Sequence, residues 1–83
     1  MQNKKGGDIV VNTLKIKARM VELGLTQKDI ATALELATPT VNQKLNNKRP
    51  MNLHEANLIA NILNIDSLQY CEYFFYNKNC IVQ

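Results

Sequence analysis

Asn42, Gln43, Lys44, Asn46, Lys48 and Arg49 gather amides and cations within eight positions of an 83-residue chain. A carboxamide offers one donor and one acceptor side by side, so Gln43 can grip adenine N6 and N7 in a major groove. Lys44, Lys48 and Arg49 suit phosphate oxygens. Such a cluster is equipped for reversible recognition of a nucleic acid; a solvent-exposed amide and solvated cations are the plain alternative. Nothing comparable serves covalent chemistry. His54 is the single histidine and falls early in a predicted helix, where an exposed or cap-proximal role fits better than catalysis. No phosphate-binding glycine loop, metal-ligand cluster or nucleophile beside a base occurs in local spacing, so no enzyme activity, metal or cofactor is expected.

The elements that must position this cluster are legible in residues 25–49, LTQKDIATALELATPTVNQKLNNKR. Thr26 can cap a helix with its hydroxyl on a free backbone N–H, and Asp29 three positions on completes a carboxylate version of the capping box. Ile30, Ala31 and Leu34 then share one face. Thr38-Pro39 signals a second start, because Thr is a good cap and Pro is favoured at the first helical position. Val41 and Leu45, four apart, face inward. Only Glu35, Leu36 and Ala37 separate the two helices, which must therefore meet at a steep angle, as in a helix-turn-helix.

Length and composition set the bounds. Eighty-three residues with 46% hydrophobic content make one small domain, of a size often stabilised by dimerisation. Such a length leaves no room for a sensor or self-cleaving domain, so an inducing signal is expected to act through another protein or through abundance. The net charge of +3 is unevenly spread: through Pro50 nine Lys/Arg face four Asp/Glu, a net of +5, and from Met51 onward one Lys faces three acids, a net of −2. The basic part coincides with the two helices, as a polyanionic partner would require, and a merely solvated face is the plain alternative. No apolar run approaches the ~20 residues that span a bilayer, and the N-terminus has no secretory-type apolar stretch, so the expectation is a cytoplasmic protein without membrane contact. Cys71 and Cys80 can in principle pair, but a reduced compartment makes both small buried hydrophobes the expectation.

Elsewhere the chain divides into a cationic flexible arm (residues 1–8), a helical domain (9–69) and an aromatic segment (70–83). Asp8 or Asn12 caps a first helix reaching about Leu23, with Leu14, Ala18, Val21 and Leu25 following the inward periodicity and Lys15, Lys17, Arg19 and Glu22 outward. Gly24 ends it in the left-handed conformation. Asn52 and Glu55 form a capping box for a fourth helix with the stripe Leu53, Ala56, Ile59, Ala60 and Leu63; Asn64 suits its C-terminal cap, and Asp66 begins a short fifth helix through about Glu72. All five aromatics fall in Tyr70–Tyr76. YFFY and the Cys80–Val82 flank have strand propensity, which predicts a terminal β-hairpin or pairing strand. That segment, with Tyr73, Phe74, Phe75, Tyr76 and Ile81, either packs on the core, joins a second subunit or offers a ligand surface. The fold expected is mainly all-α, five helices with a possible C-terminal strand.

These residues together resemble the phage Cro/repressor-type helix-turn-helix proteins, of lambda-repressor-like fold, over about Leu14 to Leu68. The resemblance rests on Leu25-Thr26-Gln27 opening the second helix, Ile30-Ala31 and Leu34 in its core, Thr40-Val41 in the third, Lys44-Leu45-Asn46-Asn47-Lys48-Arg49 after it, and Ala60, Leu63, Ile65 and Leu68 beyond. The chain is also similar to small prophage proteins of Gram-positive bacteria, some of which end in a segment like Glu72–Phe75. Carried over by position, the resemblance implies phosphate contacts at Gln27, where free N–H groups also favour an anion, and at Asn46. It implies base contacts at Thr38, Pro39 and Gln43, with Asn42 as a further candidate. Pro39 can offer only apolar contact, for instance to a thymine methyl.

Three departures stand out. The family usually has Gly where Glu35 stands, so the turn must avoid positive φ or accept strain of about 1–3 kcal/mol. It has Ser or Thr where Ala37 stands, which moves the cap of the third helix to Thr38. Asn47 replaces a common Gly, a mild change because Asn tolerates the left-handed region. What the resemblance implies is a sequence-specific, repressor-like regulator of a phage or mobile element, bound to double-stranded DNA as a homodimer. The alternative is an antitoxin or protein-interaction module on the same fold, with a toxin or antirepressor as partner.

Overall fold

Asn12 starts the first helix by accepting the Lys15 backbone N–H on its Oδ1 at 3.3 Å. The computed structural model describes residues 9–75 and runs β1 (Val10–Val11), α1 (Thr13–Leu23), α2 (Gln27–Leu34), α3 (Thr38–Leu45), α4 (Leu53–Ile62), α5 (Tyr70–Tyr73) and β2 (Phe74–Phe75). The expected mainly helical, five-helix domain is the observed one. Residues 1–8 and 76–83, and with them the expected arm, Tyr76, Ile81 and the Cys80–Val82 flank, lie outside the described residues.

Both capping boxes are complete. Thr26 Oγ1 accepts the Asp29 N–H at 3.2 Å while Asp29 Oδ2 accepts the Thr26 N–H at 2.8 Å. Asn52 Oδ1 accepts the Glu55 N–H at 2.8 Å, and Glu55 Oε1 returns the contact to the Asn52 N–H at 3.1 Å. These bonds satisfy donors that a helix N-terminus otherwise leaves open. Gly24 (φ 71°) and Asn64 (φ 56°) take the left-handed conformation expected of them. The fifth helix starts later than expected, because the carbonyl and Oδ1 of Asp66 both hold the Gln69 N–H, at 3.0 and 3.1 Å. That closes an isolated turn over 66–69 before the helix begins at Tyr70.

The face that α1 buries is not the expected one. Ile16 and Met20 enter the core, whereas Leu14 and Val21 are 82% and 79% exposed and Ala18 is exposed as well. The cause is the way the helix is anchored. Asn12 donates its backbone N–H to the Tyr73 carbonyl (2.8 Å) and its Nδ2 to the Glu72 carbonyl (3.2 Å), and the Thr13 hydroxyl donates to the Leu45 carbonyl (2.6 Å). These bonds fix the rotation of α1 about its own axis so that positions 13, 16 and 20 face inward. Arg19, expected outward, is half-buried: its Nε donates to the Leu63 carbonyl (2.8 Å) and an η nitrogen to that of Asn64 (3.3 Å), so a cation closes the C-terminus of α4. In α4, Ala56, Ile59, Ala60 and Leu63 are buried as expected, but Leu53, in the first turn, is half exposed.

The aromatic segment does form a strand. β2 pairs antiparallel with β1, Val10 opposite Phe75 and Val11 opposite Phe74, so the sheet joins segments from opposite ends of the chain. Tyr73 and Phe74 are buried in the common core with Ile9, Val11, Ile16, Ile30, Val41 and Leu45, and the Tyr70 and Phe74 rings lie 5.1 Å apart. Tyr73 and Phe74 thus pack in the core, at 8% and 0% exposure. Cys71 is disulfide-bonded, not a reduced thiol. Among the described residues, no helix is long and apolar enough to cross a membrane.

Candidate nucleic-acid interface

The turn between α2 and α3 takes the strained option. Glu35 ends α2 at φ 60°, ψ 43°, and the N–H groups of Glu35 and Leu36 close onto the carbonyls of Thr32 (3.2 Å) and Ala31 (3.0 Å). Satisfied carbonyls offset the left-handed cost at a residue that has a Cβ. Ala37 follows in extended conformation, and its carbonyl accepts the first α3 bond from the Val41 N–H at 3.1 Å. The cap is thus Ala37, with no side-chain bond, and Thr38 is the first helical residue and not the expected cap. Its side chain is exposed.

Val41 and Leu45 are buried, and this directs the rest of α3. Thr38, Pro39, Asn42 and Gln43 are all exposed, forming two i,i+4 pairs, 38/42 and 39/43, on one outward stripe. Half-buried Gln27, at the start of α2, reaches this stripe: its Oε1 accepts from Asn42 Nδ2 at 3.1 Å. Half-buried Asn46 closes the end of α3 by donating Nδ2 to the Asn42 carbonyl at 2.8 Å. Gln43 Oε1 accepts from Arg49 Nε at 2.8 Å.

The three cations of the cluster divide. Lys44 points into the fold, its Nζ 2.9 Å from Glu55 Oε1 and 3.0 Å from the Pro50 carbonyl, with only 13% of its side chain exposed. That ion pair ties α3 to the capping box of α4. Lys48 and Arg49 are exposed and, among the described residues, have no carboxylate within ion-pair distance; the same holds for Lys28 in the first turn of α2. Lys28 is an addition that its position in the first turn, beside Gln27, would have suggested. Asp29, the acid next to it, is consumed by the capping box. The Thr26 backbone N–H, then its hydroxyl, and to a lesser degree the Lys28 charge hold the carboxyl below its ordinary value.

Asn47 has a larger role than its left-handed conformation (φ 62°) implied. Its Oδ1 accepts the Val11 N–H at 2.8 Å and its Nδ2 donates to the Val11 carbonyl at 2.9 Å. With the Thr13–Leu45 bond, these contacts clamp the trailing end of α3 to the start of α1. No local signal announces a contact between residues 36 positions apart.

A capped helix, a three-residue turn, an outward polar stripe on the second helix and cations that have no carboxylate partner among the described residues make a DNA-reading arrangement. A family model described as helix-turn-helix matches residues 16–69, 54 of the 83 positions. The chain belongs to the Cro/CI-type helix-turn-helix family. This helix-turn-helix protein is accordingly a DNA-binding transcriptional regulator. None of the curated proteins matches it significantly.

Proposed function

We propose that this helix-turn-helix protein is a sequence-specific, repressor-like regulator of a phage or mobile element that lays α3 in the major groove. Thr38, Pro39, Asn42 and Gln43 meet base edges; Gln27, Asn46, Lys48 and Arg49 meet phosphates. Lys44 is assigned to the fold instead, since Glu55 and Pro50 hold its ammonium. The observation that carries the reading is the exposed 38/39/42/43 stripe flanked by Lys48 and Arg49, which have no carboxylate partner among the described residues. The protein acts as a homodimer with two α3 helices roughly 34 Å apart on a pseudo-palindromic operator. Its subunit contact falls to Phe75 and the residues beyond β2, Tyr76 and Ile81 included, because Tyr73 and Phe74 are consumed by the core.

The test is binding to the intergenic DNA flanking its own gene against random duplex at physiological salt. Preferential, footprinted binding supports the reading, and equal affinity for both overturns it. Light scattering before and after removal of residues 76–83 addresses the dimer: a monomer in both cases refutes it.

A further inference from the structure

Gln43 is an exposed amide of α3 whose polarity is fixed by chemistry. A guanidinium has donors and no acceptor. The atom 2.8 Å from Arg49 Nε is therefore the carbonyl oxygen of Gln43, and the –NH2 is turned away from Arg49. The Asn42–Gln27 contact joins two amides, either of which can donate, and imposes no such direction.

The approach of Arg49 to Gln43 is built into the loop. The Lys48 N–H donates to the Gln43 carbonyl at 2.8 Å, Asn47 turns the chain at φ 62°, and both carboxamide atoms of Asn47 are anchored on Val11. The loop is thus held back against the second half of α3. Gripping adenine requires the amide oxygen on N6 and the nitrogen on N7, whereas guanine presents two acceptors, N7 and O6, in the same groove. Arg49 takes one of the two lone pairs of that oxygen and holds it toward the loop, which leaves the –NH2 as the end that Gln43 presents.

We propose that Arg49 is a positioning residue that commits Gln43 to an acceptor edge, so that the base under Gln43 is guanine and not the adenine that an unrestrained glutamine would take. This rests on the reading that α3 enters the major groove. Exposed to water the contact adds little stability, but at a dehydrated protein–DNA interface its directional effect strengthens. The remaining guanidinium nitrogens of Arg49 stay available to a phosphate.

The experiment is selection of binding sites from a randomised duplex pool by the full chain and by its Arg49→Met and Gln43→Glu variants. The wild type is expected to enrich guanine at one position of each half-site. Arg49→Met shifts that position alone toward adenine, by about tenfold in relative preference, which corresponds to about 1.4 kcal/mol. Gln43→Glu keeps the Arg49 partner but has no donor, so guanine is lost and cytosine, which presents its N4 amine, is gained. If Arg49→Met weakens all sequences alike with an unchanged preference, Arg49 is a phosphate contact only and the inference is overturned. Enrichment of adenine by the wild type also overturns it. A pool with no enriched base at any position sinks the major-groove reading itself, and the inference with it.

Discussion

Asn47 pairs with Val11 as one strand pairs with another, accepting its N–H at 2.8 Å and donating to its carbonyl at 2.9 Å. Val11 is buried, so breaking this pair leaves its backbone N–H and carbonyl without their partner. Asn47→Gly relieves a left-handed residue but loses both bonds, and is expected to destabilise the protein by about 1–3 kcal/mol. Glu35→Gly relieves the same kind of strain at an exposed side chain that bonds to nothing among the described residues, and is expected to stabilise by about 0.5–1 kcal/mol. Urea midpoints at constant m-value separate the two; equal signs for both variants would contradict the role of the Asn47 side chain.

Lys44 and Lys48 are four residues apart and are expected to respond in opposite assays. Lys44→Met removes one member of a largely buried pair and should lower stability by about 2–4 kcal/mol while leaving the salt dependence of DNA binding unchanged. Lys48→Ala should leave stability within about 0.5 kcal/mol and flatten the slope of log affinity against log salt by about one. Thermal melts and salt titrations of both variants check the assignment.

The rotation of α1 is testable by substitution on its two apolar stripes. Ile16→Ala opens a cavity in the core and should cost about 2–5 kcal/mol. Leu14→Gln and Val21→Gln alter side chains already in water and should change stability by about 0.5 kcal/mol or less. A loss at Leu14 comparable to that at Ile16 would return the helix to the other face.

Acid should act partly through Asp29. Its folded carboxyl is held below the ordinary value by Thr26, so its stabilising contribution is present above the unfolded value and is lost as pH falls through the lower, folded one. Asp29→Asn should therefore be less stable than the wild type at neutral pH, with the gap closing below the ordinary carboxylate range. Urea midpoints of the pair across that range provide the measurement, and a gap independent of pH would speak against the charge.

The parts legible in sequence were those governed by neighbours three or four positions away. Thr26 with Asp29, Asn52 with Glu55, Gly24 and Asn64 are local devices, and each acts as its spacing predicts. α1 misled because Leu14, Ala18 and Val21 are as regularly spaced as Ile16 and Met20, and only distant bonds from Asn12 and Thr13 choose between the stripes. β1 is two residues long and exists through its pairing with β2, which no local pattern encodes. Lys44 looked like Lys48 because charge is visible in sequence and direction is not. The polarity of Gln43 likewise needed Arg49 brought back across the loop.

The clamp on the trailing end of α3 faces a lighter tether at the leading end, where Ala37 supplies no side-chain bond and the Asn42–Gln27 bond holds the stripe to α2. Within the stripe, Gln43 is held by Arg49, whereas the side chains of Thr38 and Pro39 have no bond among the described residues. If α3 reads a half-site as proposed, its strictest base pair is expected beneath Gln43 and its most degenerate ones beneath Thr38 and Pro39.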